Sequence, residues 1–244
     1  SIDVAEAQRE LAQRGIEVND VLSVTPQLLN FAAAANTTFA FAADKALNVT
    51  AQFGLKLNEL PRVLDVLTAT GLNSAGALED IAAAFTKVGP IANLAGISFE
   101  EIAASLAALA QQGIKGSIAG TNLKTAIGNL VHPSEQARDT LRSLLGPDFA
   151  GHIADATGKL RGIAPILADL EKAGANAADL FAIFGQRGVQ AFGSLLGTSA
   201  GVKQFTDALA KVGGTTQIVN DLLQGGILGT FIRLKAAVGS LATS

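Results

Sequence analysis

Residues 96–120, GISFEEIAASLAALAQQGIKGSIAG, decide the fold class. Ser98 is followed three residues later by Glu101, a capping-box pattern in which the serine oxygen accepts from the Glu101 amide and the carboxylate reaches back. The helix this predicts runs from Ser98 to Gln112, with Ile102, Leu106 and Leu109 on one face at helical spacing. Gly113 is expected to close it, because glycine takes left-handed angles without steric cost. Gly116 turns the chain, and Ser117 is expected to cap a second helix carrying Leu123, Ala126, Ile127 and Leu130. Lys115 is a single cation on that turn. The segment is therefore two helices joined by glycines, with nothing catalytic in it.

The same grammar extends in both directions. Upstream, Thr25-Pro26 predicts a helix start, since proline fits the first helical position. Asn36-Thr37-Thr38 interrupts that helix before a second one carrying Phe39, Ala43 and Leu47. Asn58 is a candidate cap for a helix with Leu60, Val63, Leu64 and Leu67 on one face, and Ser74 for the next, which groups Leu78, Ile81, Ala82 and Phe85. Gly89-Pro90 is expected to restart the chain into a short helix that Gly96 ends. Downstream, His132-Pro133 ends the Ser117 helix, because the residue before proline is pushed from helical angles. A further helix runs from about Ser134 to Leu145 and stops at Gly146-Pro147. Beyond it, helices are expected near 163–173, 177–184, 189–196, 200–212, 218–223 and 227–241.

Alternating strand patterns are missing, and no repeat period indicates a solenoid. The fold class is all-α, an array of short to medium amphipathic Ala/Gly-rich helices in an irregular bundle without β-sheet. Gly146-Pro147 is a soft boundary.

Composition narrows the function classes. The chain has 244 residues, 49% hydrophobic and only 16% charged, with a net charge of -3. That charged fraction is well below the roughly 25% of an ordinary globular chain, so much of the surface should be covered by its own helices, by identical copies or by partners. No basic footprint for nucleic acid exists. The aromatic residues are all Phe, and Cys, Met, Trp and Tyr are absent. Lack of cysteine removes disulfides and thiolate chemistry. The missing Met predicts a processed chain or a piece of a longer one, and no signal peptide is visible. The longest charge-free run, Val21–Ala43, contains Pro26, Asn30, Asn36, Thr37 and Thr38, and is read as buried helix rather than a membrane span, which needs about 20 mainly apolar residues.

Four features invite a chemical reading. Gly197-Thr198-Ser199-Ala200-Gly201 fits the G-x-S-x-G pattern, but that motif needs a strand before the serine, and Gln190–Leu196 reads as helix. Gly113, Gly116 and Gly120 resemble a phosphate loop in composition only, without its lysine spacing or its leading strand. His132 and His152 do not have metal-ligand spacing. Glu79-Asp80 and Glu100-Glu101 are adjacent pairs pointing different ways on a helix, so neither is a preformed acid–base dyad. No catalytic, cofactor or metal residues are assigned. The site residues are structural: Gly96, Ser98, Glu101, Gly113, Lys115, Gly116, Ser117 and Gly120.

The run from Phe53 to Val131 resembles the core region of phage tail tape measure proteins of the lactococcal-phage type. The matching pieces are Phe53-Gly54-Leu55, Arg62–Leu67, Val88–Ala92, Ala95–Glu101 and Gln112–Leu123. The G-I-K-G-S-x-A-G-T-x-L order of the last is the most specific. Weaker similarity reaches Gly158–Leu160, Ile166–Leu170 and Phe184–Gly188. The resemblance implies a virion structural protein in the lumen of a phage tail, made in the bacterial host cytoplasm. It implies that several copies lie together, set tail length during assembly, and leave with or before the DNA. Implied partners are copies of itself, tail tube and tail tip proteins, tail assembly chaperones and, at ejection, the host membrane. On this reading 1–24 ends an upstream helical segment, 25–146 is the tape-measure core module, and 147–244 is a second, looser helical module. The breaks at Gly54, Gly71, Gly89-Pro90, Gly113, Pro133 and Gly146-Pro147 fold the chain back, so this piece is expected to be a compact or segmented module. Two rival readings are a membrane-active helical protein or pore component, suggested by Val21–Ala43, and a hydrolase using Ser199.

Overall fold

A computed structural model of the chain describes residues 16–74 and 78–224, together with residues 5, 8, 9, 11 and 12. The expected 227–241 helix, and most of segment 1–24 before Ile16, lie outside the described residues. Within them the fold is all-α, with twelve helices and no strand. We number them in chain order. The first six are α1 (Val18–Ala34), α2 (Phe39–Gln52), α3 (Leu60–Ser74), α4 (Leu78–Ala95), α5 (Phe99–Gln111) and α6 (Gly116–Val131). The rest are α7 (Glu135–Leu145), α8 (Ala150–Ile153), α9 (Ile163–Lys172), α10 (Ala177–Leu195), α11 (Ser199–Leu209) and α12 (Thr215–Gln224). Among the described residues no helix is long and apolar enough to cross a membrane.

Helix α6 is the centre of the bundle. Its most extensive packing is against α4 on one side and α10 on another. Both contacts are backbone-close because a glycine stands at each. A Cβ on Gly120 would lie 2.3 Å from the Ala84 carbonyl oxygen, and one on Gly188 would lie 3.1 Å from Ala126 Cα. Small residues bury little area each, but they let helix backbones approach until dispersion contacts are dense. Leu123, Ala126 and Ile127 are fully buried between these neighbours. Helix α5 packs on α3 and α11, α2 on α4, and α12 returns to α1 and α3.

Phenylalanines supply the bulk that alanine lacks. Phe53, Phe85 and Phe99, from the end of α2, from α4 and from the start of α5, form a cluster with ring centroids 5.0–5.8 Å apart. Phe184 and Phe192 stack at 4.3 Å across a kink in α10. The kink is at Gly185, where the chain leaves helical angles with φ +64. Two expected helices, 177–184 and 189–196, thus meet there. The carbonyl of Phe184 exposed by the kink accepts from Asn129 of α6 at 2.7 Å. One buried cluster runs from Leu11 to Leu209, so residues on both sides of Gly146-Pro147 contribute to it.

Two proline expectations are corrected. Pro26 lies inside α1, which has already begun at Val18, and Pro90 lies inside α4. An interior proline removes one helix hydrogen bond and costs about 3 kcal/mol. Val24, Leu28 and Phe31 in α1, and Phe85, Val88 and Ala92 in α4, are buried on both sides of the break and offset it. Gly89 serves contact rather than interruption: a Cβ there would lie 2.8 Å from Gln52 Oε1. Asn58 does not cap α3; it sits inside a short 3-10 turn, Leu57–Glu59, whose Glu59 carboxylate accepts from the Lys56 amide at 2.9 Å.

Candidate functional site

The residues singled out in the sequence fall in two groups at opposite ends of α5: Gly96, Ser98 and Glu101 at its start, and Gly113, Lys115, Gly116 and Ser117 between its end and α6, with Gly120 inside α6. Gly96 (φ +76) and Gly113 (φ +82) each follow a helix and close it in the same way. At Gly113 the Ile114 amide donates to Leu109 O and the Gly113 amide to Ala110 O, both at 3.0 Å, the two bonds of a Schellman motif. Ile97 donates to Ala92 O at 2.9 Å in the matching arrangement after α4. Ser98 accepts from the Glu101 amide at 3.1 Å, so the serine half of the box is made.

The carboxylate half is not. Glu101 turns away from Ser98 and accepts from the Ala164 amide at 2.9 Å and from Ile163, capping the N-terminus of α9. The reason is Gly162, which precedes α9 and has no side chain to cap it. A Cβ on Gly162 would fall 2.8 Å from Glu101 Oε2, so the glycine also makes room for the carboxylate. Burial raises the Glu101 pKa above the usual carboxylate range, and the two amides pull it only part of the way back. Glu100, its neighbour, instead pairs with Arg62 of α3 while almost fully buried. The adjacent acids thus serve two different interfaces.

Ser117 is not the cap of α6. The helix begins at Gly116, Lys115 holds the N-cap position without capping it through its side chain, and Ser117 is exposed. Gly116 is buried at φ +58 beside Asp80, whose Oδ1 lies 2.9 Å from where a Cβ would stand. The adjoining cleft, lined by Thr70, Asp80, Lys115 and Gly116, has a volume of about 20 Å³, the space of a single water. It has no room for a phosphate.

Two more acids repeat the Glu101 arrangement, and sequence reasoning missed both. Glu171 of α9 accepts from the Gly197 amide at 2.7 Å, from the Ser199 amide at 3.3 Å and from Ser199 Oγ at 2.5 Å, capping α11. Asp65 of α3 is buried and accepts from Gly214 at 2.7 Å and Thr216 at 2.8 Å, capping α12. Negative charge at a helix N-terminus satisfies free amides and complements the macrodipole. Each of these acids does so across a long sequence interval, where no local pattern betrays it. A weak signal exists in retrospect: α9, α11 and α12 follow Gly162, Thr198 and Gly214, none of which caps with its own side chain.

This settles the G-x-S-x-G motif. Ser199 follows helix α10 and its connector rather than a strand, and its hydroxyl donates to a carboxylate that is already holding two backbone amides. His152 is engaged elsewhere, bonded through Nδ1 to Asp169 at 2.8 Å, with Arg161 on the same oxygen at 3.0 Å. Burial opposes ionisation of Asp169, but the hydrogen bond from His152 and the neighbouring Arg161 guanidinium outweigh it and hold the pKa below the ordinary value. Among the described residues no group of three or more His, Cys, Asp or Glu is placed to hold a metal. These are structural junctions: Ser98, Glu101, Glu171 and Asp65 are consumed in starting helices and joining them.

An all-α bundle whose most distinctive motif is spent on helix junctions has the character of a structural protein. The chain belongs to the phage-related minor tail protein family, whose model matches residues 1–185, and is thus a phage tail component of the virion. It is 27% identical, over 98% of its length, to the tape measure protein of Pneumococcus phage Dp-1, covering 21% of that protein. It is 29% identical, over 99% of its length, to the probable tape measure protein of Escherichia phage P2, covering 30% of it. The chain therefore spans less than a third of the length of these relatives. No solved structure matches it.

Proposed function

We propose that this chain is a non-enzymatic structural module of a tape measure protein, packed in the lumen of a phage tail. There the whole protein sets tail length during assembly and leaves with or before the DNA. The observation that carries the reading is the similarity to tape measure proteins along nearly the whole chain. The G-I-K-G-S motif supports it, since every residue given a role there ends or packs a helix. Copies of the same protein, tail tube and tail tip proteins, and tail assembly chaperones are the partners, with the host membrane reached at ejection. The module adds little to the length of the ruler, whose measuring helices lie outside it: a continuous helix would extend about 1.5 Å per residue, whereas these helices lie against one another.

Protease treatment of purified virions, read by mass spectrometry, tests the location. Peptides of this chain should survive in intact virions and be lost once ejection is triggered. Their absence from mature tails, or digestion in intact particles, would overturn the proposal.

A further inference from the structure

Helix α12 is held by the same kind of carboxylate cap as α9 and α11, but its connector carries two consecutive glycines. It follows Gly213-Gly214, where an added Cβ would meet nothing within 4 Å and Gly214 has φ +72. The two glycines are exposed, and this connector leads α12 away from α11 to lie on α1 and α3. Polar contacts fix its N-terminal turn there. Asp65 caps it, Asn30 donates to Gln217, and Thr216 Oγ1 lies 3.0 Å from Thr68 Oγ1. Since Thr68 gives its own proton to Leu64 O at 2.8 Å, Thr216 is the donor in that pair.

The seam beneath is not filled. A cleft of about 200 Å³ runs along it, lined by Gln27, Asn30, Pro61, Leu64, Asp65 and Thr216. Within the same contact the buried oxygen Gln27 Oε1 has no hydrogen-bond partner. A cleft open to water and an orphaned acceptor both weaken an interface, since the cleft leaves helix faces unpacked against each other and an unpaired buried oxygen costs free energy. Opening would rehydrate Gln27 and release Asp65 to water, whereas opening α6 would tear contacts packed at backbone distance on two sides.

We infer that α12 is a clasp, which swings on Gly213-Gly214 and leaves α1 and α3 while the rest of the bundle stays folded. Hydrogen exchange on the full 244-residue chain tests this. Backbone amides of α12 should exchange at least ~10-fold faster than those of α6. Asp65→Ala should accelerate α12 further and leave α6 unchanged. Because the chain has no cysteine, Thr68→Cys with Thr216→Cys adds a single cross-link, which after oxidation should slow α12 to the α6 rate. Equal exchange of α12 and α6 in the unmodified chain would overturn the inference. So would a cross-link that forms without slowing α12, an arm that still decides the matter if Asp65→Ala fails to fold.

Discussion

Two glycines that look alike in the sequence do different work. Gly113 stands in open space at φ +82, so replacing it meets no neighbour and costs only backbone strain. Gly113→Ala should destabilise by about 1–2 kcal/mol, and Gly113→Asn by less, because asparagine tolerates left-handed angles. Gly120 has ordinary helical angles but no space. Gly120→Ala must separate α6 from α4, and we expect about 2–4 kcal/mol lost, in the range of overpacked or disrupted cores. Urea denaturation of the three variants separates the mechanisms. Glu101 gives a third test. Glu101→Ala leaves the α9 amides without their acceptor and should cost about 1–3 kcal/mol, while Glu101→Gln keeps an acceptor without the buried charge and should cost less. Its raised pKa fixes the pH sign: the folded state holds this proton more tightly than the unfolded chain. The resulting stabilisation is full below the ordinary carboxylate value and is lost as pH rises through the folded one. Wild type should therefore gain on Glu101→Gln as melts are moved from pH 7 toward pH 4.5. Asp169 has the opposite sign. Its lowered pKa gives stability above the ordinary value that disappears as pH falls through the folded one, so Asp169→Asn should flatten the acid limb.

At the scale of elements, the helices were largely legible and their junctions only partly. Ser134 caps α7 through the Ala137 amide at 3.1 Å, and Thr38 caps α2 through Phe41 at 3.3 Å, because serine and threonine caps act on residues close in sequence. Leu60, Val63, Leu64 and Leu67 are buried together as their spacing required. Pro26 and Pro90 misled because the local penalty of proline is visible in sequence, while the burial that outweighs it is not. The short helix α8 and the isolated bridge Ala154–Leu160 gave no periodic signal, being too short to carry one. The caps by Asp65, Glu101 and Glu171 left only the missing local cap of α9, α11 and α12 as a trace, since their partners lie far along the chain. Sandwiched α6 should be the most protected element. A cavity mutation there, Ile127→Ala, should cost about 2–5 kcal/mol by urea melt, more than Val219→Ala in α12.

For the whole molecule, packing of α12 back on α1 and of α10 on α6 predicts a compact particle. Small-angle scattering extrapolated to dilution, below any self-association, should give a radius of gyration near ~18 Å, the value for a compact chain of this length. A profile of a single long rod would exclude this arrangement. The charged fraction of 16% adds a second expectation. Exposed Val18 and Leu22 lie one turn apart on α1, and Leu94, Ile118 and Phe181 are each more than half exposed. Light scattering over a concentration series should therefore show discrete self-association, consistent with several copies side by side. A strict monomer at all concentrations would argue against copies meeting through this module.

The three long-range carboxylate caps also give the molecule a direction under load. Each sits on a helix that precedes the one it holds: Asp65 before α12, Glu171 before α11, Glu101 before α9. With one handle on α6 and the other at the end of α12, tension meets the Asp65 and Glu171 attachments one at a time, like stitches pulled from a free end, before it reaches the close packing of α10 on α6. With handles on α4 and α6 the load falls directly on the backbone-close contact at Gly120. An optical trap should then record low, stepwise rips in the first geometry and a single, higher one in the second.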